Sequence, residues 1–261
     1  MTSTSSPLFS AVIPVHNGEK YLAAALYNVL NLAYEPMELI VVNDGSTDST
    51  EKIIGNFSHP IRYLHQPNRG PAAARNLGLK FSQGEVIAFL DADDLWTPSI
   101  VTRALALLIS RPDVAVVQGR VQEITDQPND ASGTAYQHRL EPYSFINIGS
   151  AVYRKEIFAT VGGFDESMRF CEDYDWFLRA FDAGIYKVRI DDVTLLYRAH
   201  CGGMTYGKTV HEIGMAKAHK KAIQRRREDP IQLRAAAGFP TLAEYIGTRP
   251  APRPQPLEKQ N

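Results

Sequence analysis

The sequence predicts an α/β fold in which a mostly parallel sheet is flanked by helices. In the first half of the chain, short apolar segments alternate with amphipathic segments. The apolar segments, such as residues 39–43, lack the polar alternation of a half-exposed strand, as expected when helices cover both faces. Polar clusters follow two of the strands, at the edge where such sheets bind ligands.

Each element of the first half is predicted from its own pattern. Apolar runs indicate four strands, at residues 9–15, 39–43, 61–65 and 85–90. Helical spacing of apolar residues, together with capping residues, indicates three helices, at residues 19–32, 46–57 and 70–81.

The second half is less regular. Strands or extended segments are predicted at residues 114–124 and 186–197. A helix is predicted over 172–183, with Gly184 ending it, and a basic helix over 208–229. Residues 126–134 are predicted to form a polar loop, and the Pro-rich residues 249–261 a disordered tail.

Composition excludes several classes of protein. The chain has 261 residues, of which 44% are hydrophobic and 22% charged, and its net charge of −1 gives no overall field suited to nucleic acid. No apolar run is long enough to span a bilayer, and no signal peptide is predicted. The two cysteines, Cys171 and Cys201, form no disulfide framework, so reduced thiols and a cytoplasmic location are expected.

Three carboxylates at the end of an apolar strand give the strongest chemical signal. Asp91, Asp93 and Asp94 follow the strand at residues 85–90. Like charges this close repel one another, and a hard divalent cation with oxygen ligands relieves the repulsion. Strand alternation would place Asp91 and Asp93 on one side and Asp94 on the other. The alternative is a polar turn before a helix capped by Thr97, but such a turn needs one polar residue and not three acids.

The remaining motifs each have a structural alternative. Asp44 could accept a hydrogen bond from a nucleobase or ribose, or the NDGSTD segment could simply form an Asx-type turn and helix cap. Arg75 could bind an anion, or lie in a tightly packed helix. The acids at 172–175 could supply a base, or only complement a helix dipole. His200 could be a ligand, or end a surface strand.

Taken together and in order, these segments resemble glycosyltransferase family 2. The matching motifs are PVHN, VVNDGSTD, NRGPAAARNLG, FLDADDLW, VGGFDE, CEDYDWFLRA and YRAH, spread over residues 9–204. The resemblance implies a GT-A fold with a Rossmann-like sheet. It also implies metal-dependent, inverting transfer of a sugar from a nucleotide sugar, expected to be a UDP-sugar, to a hydroxyl of a glycan or lipid-linked acceptor in polysaccharide biosynthesis.

The resemblance assigns roles by position. Nucleotide contacts are implied for six residues: Pro14, Val15, Asp44, Asn68, Arg75 and Asp91. A Mn²⁺ or Mg²⁺ site of DXD type is implied for Asp93, Asp91 and His200. The catalytic base is implied to be Asp173, with Glu172 beside it. Because a helix start favours an ionised acid, Asp173 is expected to be a weak base with a pKa near the ordinary value of about 3.9.

The acceptor surface is expected in the irregular half, at Trp96 and Asn147. The predicted organisation is a GT-A domain over 1–207, with a nucleotide half (8–95) and an acceptor half (96–207), followed by a helical extension (208–248). The basic helix at 208–229 has seven basic and three acidic residues. It is predicted to make peripheral contact with anionic lipid at the inner face of the membrane. The alternative is a solvated helix packed on the domain.

Three other functions are less well supported by the sequence. A nucleotidyltransferase should carry a Gly-rich, Arg-containing loop after its first strand, and PVHNGEKY is not such a loop. A non-catalytic carbohydrate-binding relative would be expected to lose the DADD or CED acids, and both are present. A dinucleotide oxidoreductase would need a GxGxxG turn after the first strand, which this sequence lacks.

Overall fold

A mixed β-sheet forms the centre of the protein. The structure is a computed structural model that describes residues 6–126, 136–204, 206, 208, 212–228 and 239–248. In its first half four parallel strands lie in the order β3-β2-β1-β4. Their bounds are Phe9–Val15 (β1), Met37–Asp44 (β2), Arg62–Gln66 (β3) and Val86–Phe89 (β4).

The second half continues the same sheet with mixed strand directions. Beyond β4 the described strands follow in the order β8-β6-β9-β5, and β7 pairs with β6. β8 is antiparallel to both β4 and β6, while β9 is parallel to β6. Their bounds are Leu95–Trp96 (β5), Val116–Asp126 (β6), Tyr136–His138 (β7), Ala151–Arg154 (β8) and Lys187–Arg198 (β9).

Helices cover both faces of this sheet. The α-helices are Leu22–Leu30 (α1), Thr50–Gly55 (α2), Pro71–Phe81 (α3), Ala106–Ser110 (α4), Ile157–Val161 (α5), Glu172–Asp182 (α6), Met215–Glu228 (α7) and Leu242–Ile246 (α8). A π-helical segment, Ile100–Leu105, leads into α4, and a short 3₁₀ turn spans Ile148–Ser150. The predicted α/β class is confirmed.

Two apolar layers form because residues of β1 alternate between the faces of the sheet. Ile13 and its odd-numbered neighbours pack against Leu26 and other side chains of α1. Val12 faces the opposite layer, which includes α3 and the aromatic side chains Phe177 and Trp176 of α6. Both layers bury their apolar area from water, which is the main favourable term in folding. Burial on both faces explains why the sequence of β1 and β2 shows no polar alternation.

Most predicted elements of the first half are confirmed within a few residues of their ends. Helix α1 begins at Leu22, later than predicted, because the preceding residues form a loop tied to the segment after β2. The N–H groups of Asn17, Gly18 and Glu19 donate to the side chains of Ser46, Thr50 and Asp48. The short elements β5, β7, β8, α4, α5 and α8 were missed, since segments this short show no clear period. The predicted polar loop beyond Asp126 and the tail at 249–261 lie outside the described residues.

The basic helix α7 packs on α6. It is shorter than the predicted 208–229 helix, and Lys208 and residues 212–214 are described but not helical. Ala218 and Ala222 are buried in the contact. Three ion pairs join α7 to the domain: Lys221–Asp165, Arg225–Asp175 and Arg226–Asp182. Helix α7 therefore packs on the domain, as the alternative prediction for this segment had it. None of the helices in the described ranges has the length and hydropathy needed to cross a bilayer.

Candidate active site

The acidic segment after β4 forms a turn and not a continued strand. The turn is closed by a 3.0 Å hydrogen bond from Asp94 N–H to the Asp91 carbonyl. Asp94 is buried and accepts from the Arg198 N–H at 2.8 Å, and burial, with the charges of Asp93 and Asp91, raises its pKa well above the usual range. Asp91 and Asp93 remain partly exposed. Because the segment is a turn, the strand alternation assumed for these three acids does not apply, and buried Asp94 has a structural role.

A buried guanidinium links this turn to two helices. Arg75 of α3 donates to Asp91 Oδ1 at 2.6 Å and to Glu172 of α6. Burial alone would lower the pKa of Arg75, but the charges of Asp91 and Glu172 raise it above its usual range. The cation is therefore neutralised by two carboxylates of the protein. The nucleotide contact implied for Arg75 stays a prediction.

The three acids at the start of α6 have different environments. Glu172 pairs with Arg75, and buried Asp175 pairs with Arg179 and Arg225. Asp173 is half-buried, and the hydrogen bond described for it is accepted from the Tyr174 N–H at 2.7 Å. Asp175 is thereby removed from the candidates for a base. Among the described contacts of these three acids, only Asp173 lacks an ion pair.

The environment of Asp173 corrects one expectation. Burial, and next the charge of Glu172, raises the pKa of Asp173 to about 7, although Arg75 and the Tyr174 N–H act in the opposite direction. The sequence argument predicted a readily ionised acid at a helix start. It was wrong because the loss of hydration and a neighbouring carboxylate outweigh the helix-terminus effect, which contributes roughly 0.3–1 kcal/mol at exposed positions. A base with a pKa near 7 is well matched to proton transfer at neutral pH.

Asp93 and His200 form a ligand pair suited to a divalent cation. Asp93 Oδ2 and His200 Nε2 are hydrogen-bonded to each other at 2.9 Å, and the Tyr21 ring packs on the imidazole with 4.9 Å between ring centroids. Two ligand atoms at right angles around an ion, each about 2.1 Å from it, are about 3.0 Å apart, so the pair fits one octahedral cation. In the described ranges no group of three or more His, Cys, Asp or Glu residues is arranged to hold a metal. Further ligands would then have to come from water or a bound diphosphate.

Arg198 fixes the position of Asp93 and was missed by the sequence analysis. Its Nε donates to the Asp93 carbonyl at 2.9 Å, and its Nη1 donates to Asp126. Asp126 also accepts from Lys20 Nζ at 2.9 Å and from the Tyr21 hydroxyl at 2.8 Å. The signal was present in the YRAH motif, where only the histidine was considered.

Asp44 lies at the end of β2 and is 3% exposed. Its Oδ1 accepts from Gln66 Nε2 at 2.7 Å and from the Arg69 N–H at 2.9 Å, while its Oδ2 accepts from the Gly70 N–H at 2.8 Å. A carboxylate offers about four acceptor positions, so, among the contacts of the described residues, one remains on Oδ2. Asp44 therefore holds the loop before α3 and keeps a single position for a further donor.

The other residues with implied nucleotide contacts surround the same strand ends. Pro14 and Val15 are buried in β1, so any contact must use their backbone. The Val12 carbonyl accepts from the Leu90 N–H, and alternation places the Pro14 carbonyl on the same side, beyond the end of β4. Asn68 Nδ2 lies 3.1 Å from Nε2 of His16, a residue the sequence analysis did not single out although it belongs to the PVHN motif.

The acceptor prediction for Trp96 is contradicted by its burial. Trp96 is 2% exposed, and its indole N–H donates to the Gly149 carbonyl at 2.7 Å. Its backbone is held on both sides by the Asn28 amide. Asn147 is partly exposed, but its Oδ1 accepts from the Gly149 N–H at 2.8 Å. Trp96 is therefore a core residue, and the acceptor contact of Asn147 stays a prediction.

Known proteins resemble this chain in sequence. The family model described as Glycosyl transferase family 2 matches residues 10–164. An uncharacterized glycosyltransferase from Rickettsia typhi is 34% identical over 190 residues, which cover 67% of this chain and 59% of the relative. Glycosyltransferase GlyA from Streptococcus pneumoniae is 30% identical over 184 residues, covering 69% of this chain and 24% of that protein. The chain thus spans about three-fifths, or less, of the length of these relatives.

Solved structures resemble the fold. Residues 1–349 of S. aureus TarS in complex with UDP-GlcNAc superimpose with a TM-score of 0.65 at 20% identity, covering 82% of this chain and 65% of that TarS chain. Mannosyltransferase PcManGT from Pyrobaculum calidifontis, in complex with GDP-Man and Mn²⁺, gives a TM-score of 0.64 at 21% identity, covering 87% and 66% of the two chains. At this level of identity the likeness establishes a shared glycosyltransferase fold, which confirms the expected GT-A architecture.

We expect Arg75→Met to destabilise the protein by about 3 kcal/mol, because removing the cation leaves the carboxylate of Glu172 buried without a charge partner. Arg69→Met is the matched control, since Arg69 pairs with Glu166 where both side chains are largely exposed. That change should cost less than about 1 kcal/mol. Urea denaturation of the two variants measures the difference. Equal losses would show that the Arg75 pair does not stabilise the fold.

Proposed function

The chain belongs to glycosyl transferase family 2, and from that premise we propose that it transfers a sugar from a nucleotide sugar to an acceptor hydroxyl with inversion at the anomeric carbon. The observation that carries this proposal is the arrangement of two groups at one edge of the sheet. Asp173 has a pKa of about 7 and no ion pair among its described contacts. The Asp93–His200 pair has the spacing of two ligands of one cation. Together they supply a base and a diphosphate site.

We propose that the donor is a UDP-sugar. Asp44 keeps one acceptor position on Oδ2 after its three protein contacts, and the uracil imide is a single N–H donor that suits it. The Pro14 carbonyl and the Asn68 amide lie at neighbouring strand and loop ends. The TarS neighbour binds UDP-GlcNAc, whereas PcManGT binds GDP-Man, so the fold itself accommodates either nucleotide.

Asp93 and His200 would hold the cation, with Asp91 beside them. We propose Mn²⁺, since imidazole is a better ligand for transition metals than for Mg²⁺. When bound, such a cation stabilises the negative charge that develops on the leaving diphosphate. Arg198 keeps the Asp93 backbone in place, and the Tyr21 ring orients the imidazole of His200.

Asp173 is proposed to take the proton of the acceptor hydroxyl as that oxygen attacks the anomeric carbon. Attack from the face opposite the leaving group inverts the anomeric centre, and no covalent enzyme intermediate is needed. Glu172 and Arg75 hold the start of α6 beside the acidic turn. The acceptor is proposed to be a hydroxyl of a glycan or a lipid-linked sugar that passes near Asn147.

Nucleotide binding is expected to depend on a divalent cation. UDP should bind at least about tenfold more weakly when EDTA replaces Mn²⁺, because the ligand pair alone offers no positive charge to the diphosphate. Asp93→Ala should abolish this difference, and titration calorimetry measures it. Asp113→Asn, which alters an exposed acid paired with Arg111, serves as the control. Equal UDP affinity with and without Mn²⁺ would remove the metal from the proposal.

Asp173→Asn should lower sugar transfer by at least about a hundredfold, because it preserves the size of the side chain and removes the base. The affinities for UDP and Mn²⁺ should change little, since the residues proposed to bind them lie outside α6. Steady-state assays of UDP release, combined with calorimetry, separate the two effects.

The wild-type enzyme should also show an acid limb in kcat/KM. A base with a pKa of about 7 is protonated and inactive below that pH, so the rate should fall about tenfold per pH unit there and level off above it. If Asp173→Asn retains near-native turnover, the base is another group. Glu172 would then be the next candidate, because Asp175 is buried between two arginines.

We propose a salt-sensitive contact of α7 with anionic lipid, now limited to its outward face. Lys220 and Arg227 are exposed there around Ile223, whereas three other cations of the helix pair with the domain and Lys217 Nζ donates to the Ser167 carbonyl. Binding to phosphatidylserine vesicles should be weak, at about 1 kcal/mol per available cation, and lost in high salt. Co-sedimentation of wild type and of a Lys220→Glu, Arg227→Glu double variant measures it. Absence of binding to anionic vesicles at low salt would refute the contact.

A further inference from the structure

Helix α7 lies outside the region matched by the family model, which ends at residue 164. The helix is nevertheless bound to the domain by three ion pairs, two of which reach acids of α6. α6 also carries Asp173. The position of α7 therefore bears on the first turn of α6, where the proposed base is found.

Asp175 connects the two helices. It is completely buried, and both of its oxygens are engaged: Oδ2 accepts from Arg179 Nε at 2.9 Å, and Oδ1 accepts from Arg225 Nη1 at 2.9 Å. Arg179 in turn donates to the carbonyls of Val161 and Gly163. The carboxylate of Asp175 thus ties the first turn of α6 both to α7 and to the loop after α5.

The first turn of α6 needs such support. Cys171, which precedes it, has the left-handed φ of 58° and makes no side-chain cap. Three acids follow within four residues, and they repel one another. Each helical residue advances about 100°, so Asp173 and Asp175 point in directions about 200° apart. Holding Asp175 toward α7 therefore keeps Asp173 on the opposite side of α6.

We propose that Arg225 is a positioning residue for sugar transfer: through Asp175 it fixes the first turn of α6 so that Asp173 faces the acceptor hydroxyl. This inference rests on the proposed function only in taking Asp173 as the base. The anchoring of α6 by Arg225 is a separate property that can be measured without any substrate.

Arg226 provides a matched control. It has the same chemistry, lies next to Arg225 on α7 and has a nearly equal exposure, 32% against 31%. It also pairs with a buried acid of α6, but that acid is Asp182, the last residue of the helix. Seven residues separate Asp182 from Asp175, which is about 10 Å along the axis. Removing Arg226 should weaken the contact between α7 and α6 without releasing the first turn.

The experiment compares Arg225→Gln, Arg226→Gln and Arg225→Lys in the full chain. Hydrogen exchange should rise at residues 172–177 in Arg225→Gln, but nearer residue 182 in Arg226→Gln. Steady-state assays use Mn²⁺ and UDP-GlcNAc, or GDP-mannose if that proves to be the donor. In these assays the kcat of Arg225→Gln should be about ten- to a hundredfold lower than that of the wild type. The KM for the donor and the affinity for UDP should stay within about twofold. Arg225→Lys should restore most of kcat, and it carries the comparison if Arg225→Gln does not fold.

The positioning role of Arg225 and the proposed sugar transfer can be refuted independently of each other. Equal exchange at residues 172–177 in both glutamine variants, or an equal loss of kcat in both, would overturn the positioning role of Arg225. The same holds if exchange rises at 172–177 while kcat is unchanged. If the wild-type protein consumes no nucleotide sugar, the proposed function fails, and the exchange data still decide whether Arg225 anchors the first turn.

Discussion

A buried positive charge on Arg75 is the constraint on which the site depends. A guanidinium away from water must be matched by negative charge, and Asp91 and Glu172 provide it. These two acids belong to the turn after β4 and to α6, so their attraction to one side chain of α3 holds the first turn of α6 beside α3 and the end of β4. The same contact brings the proposed base close to the acidic turn.

The acids of the candidate site differ mainly in the group that each one contacts. Asp94, Glu172 and Asp175 are used inside the protein, by a backbone N–H or by arginines. The carboxylates of Asp173 and Asp93 form no ion pair with an arginine among the contacts described for them. Desolvation and the charge of Glu172 then outweigh Arg75 and the Tyr174 N–H, and they raise the pKa of Asp173 to about 7. Structural ion pairs thus leave a small number of groups available for chemistry.

Local patterns were reliable where a single element decides the outcome. Strand β1 was predicted at its observed bounds because its seven residues are all buried and continuous in sequence. The acidic turn after β4 and the start of α6 at Glu172 were also located correctly. Trp96 and the pKa of Asp173 were not, because burial depends on what packs against a side chain. The contacts of Arg198 and Arg225 were missed because their partners are many residues away.

By itself, the sequence determined the α/β class, the order of the main elements and the family, since these follow from periodicity and from motifs within short segments. The tertiary structure decided which acids form ion pairs within the fold and which lack one among the described contacts. Arg75 and Glu172 are 97 residues apart, and Arg198 and Asp93 are 105 apart. Contacts over such distances depend on how strands and helices pack. No local pattern in the CED or DADD segments could therefore reveal which of their carboxylates would be neutralised.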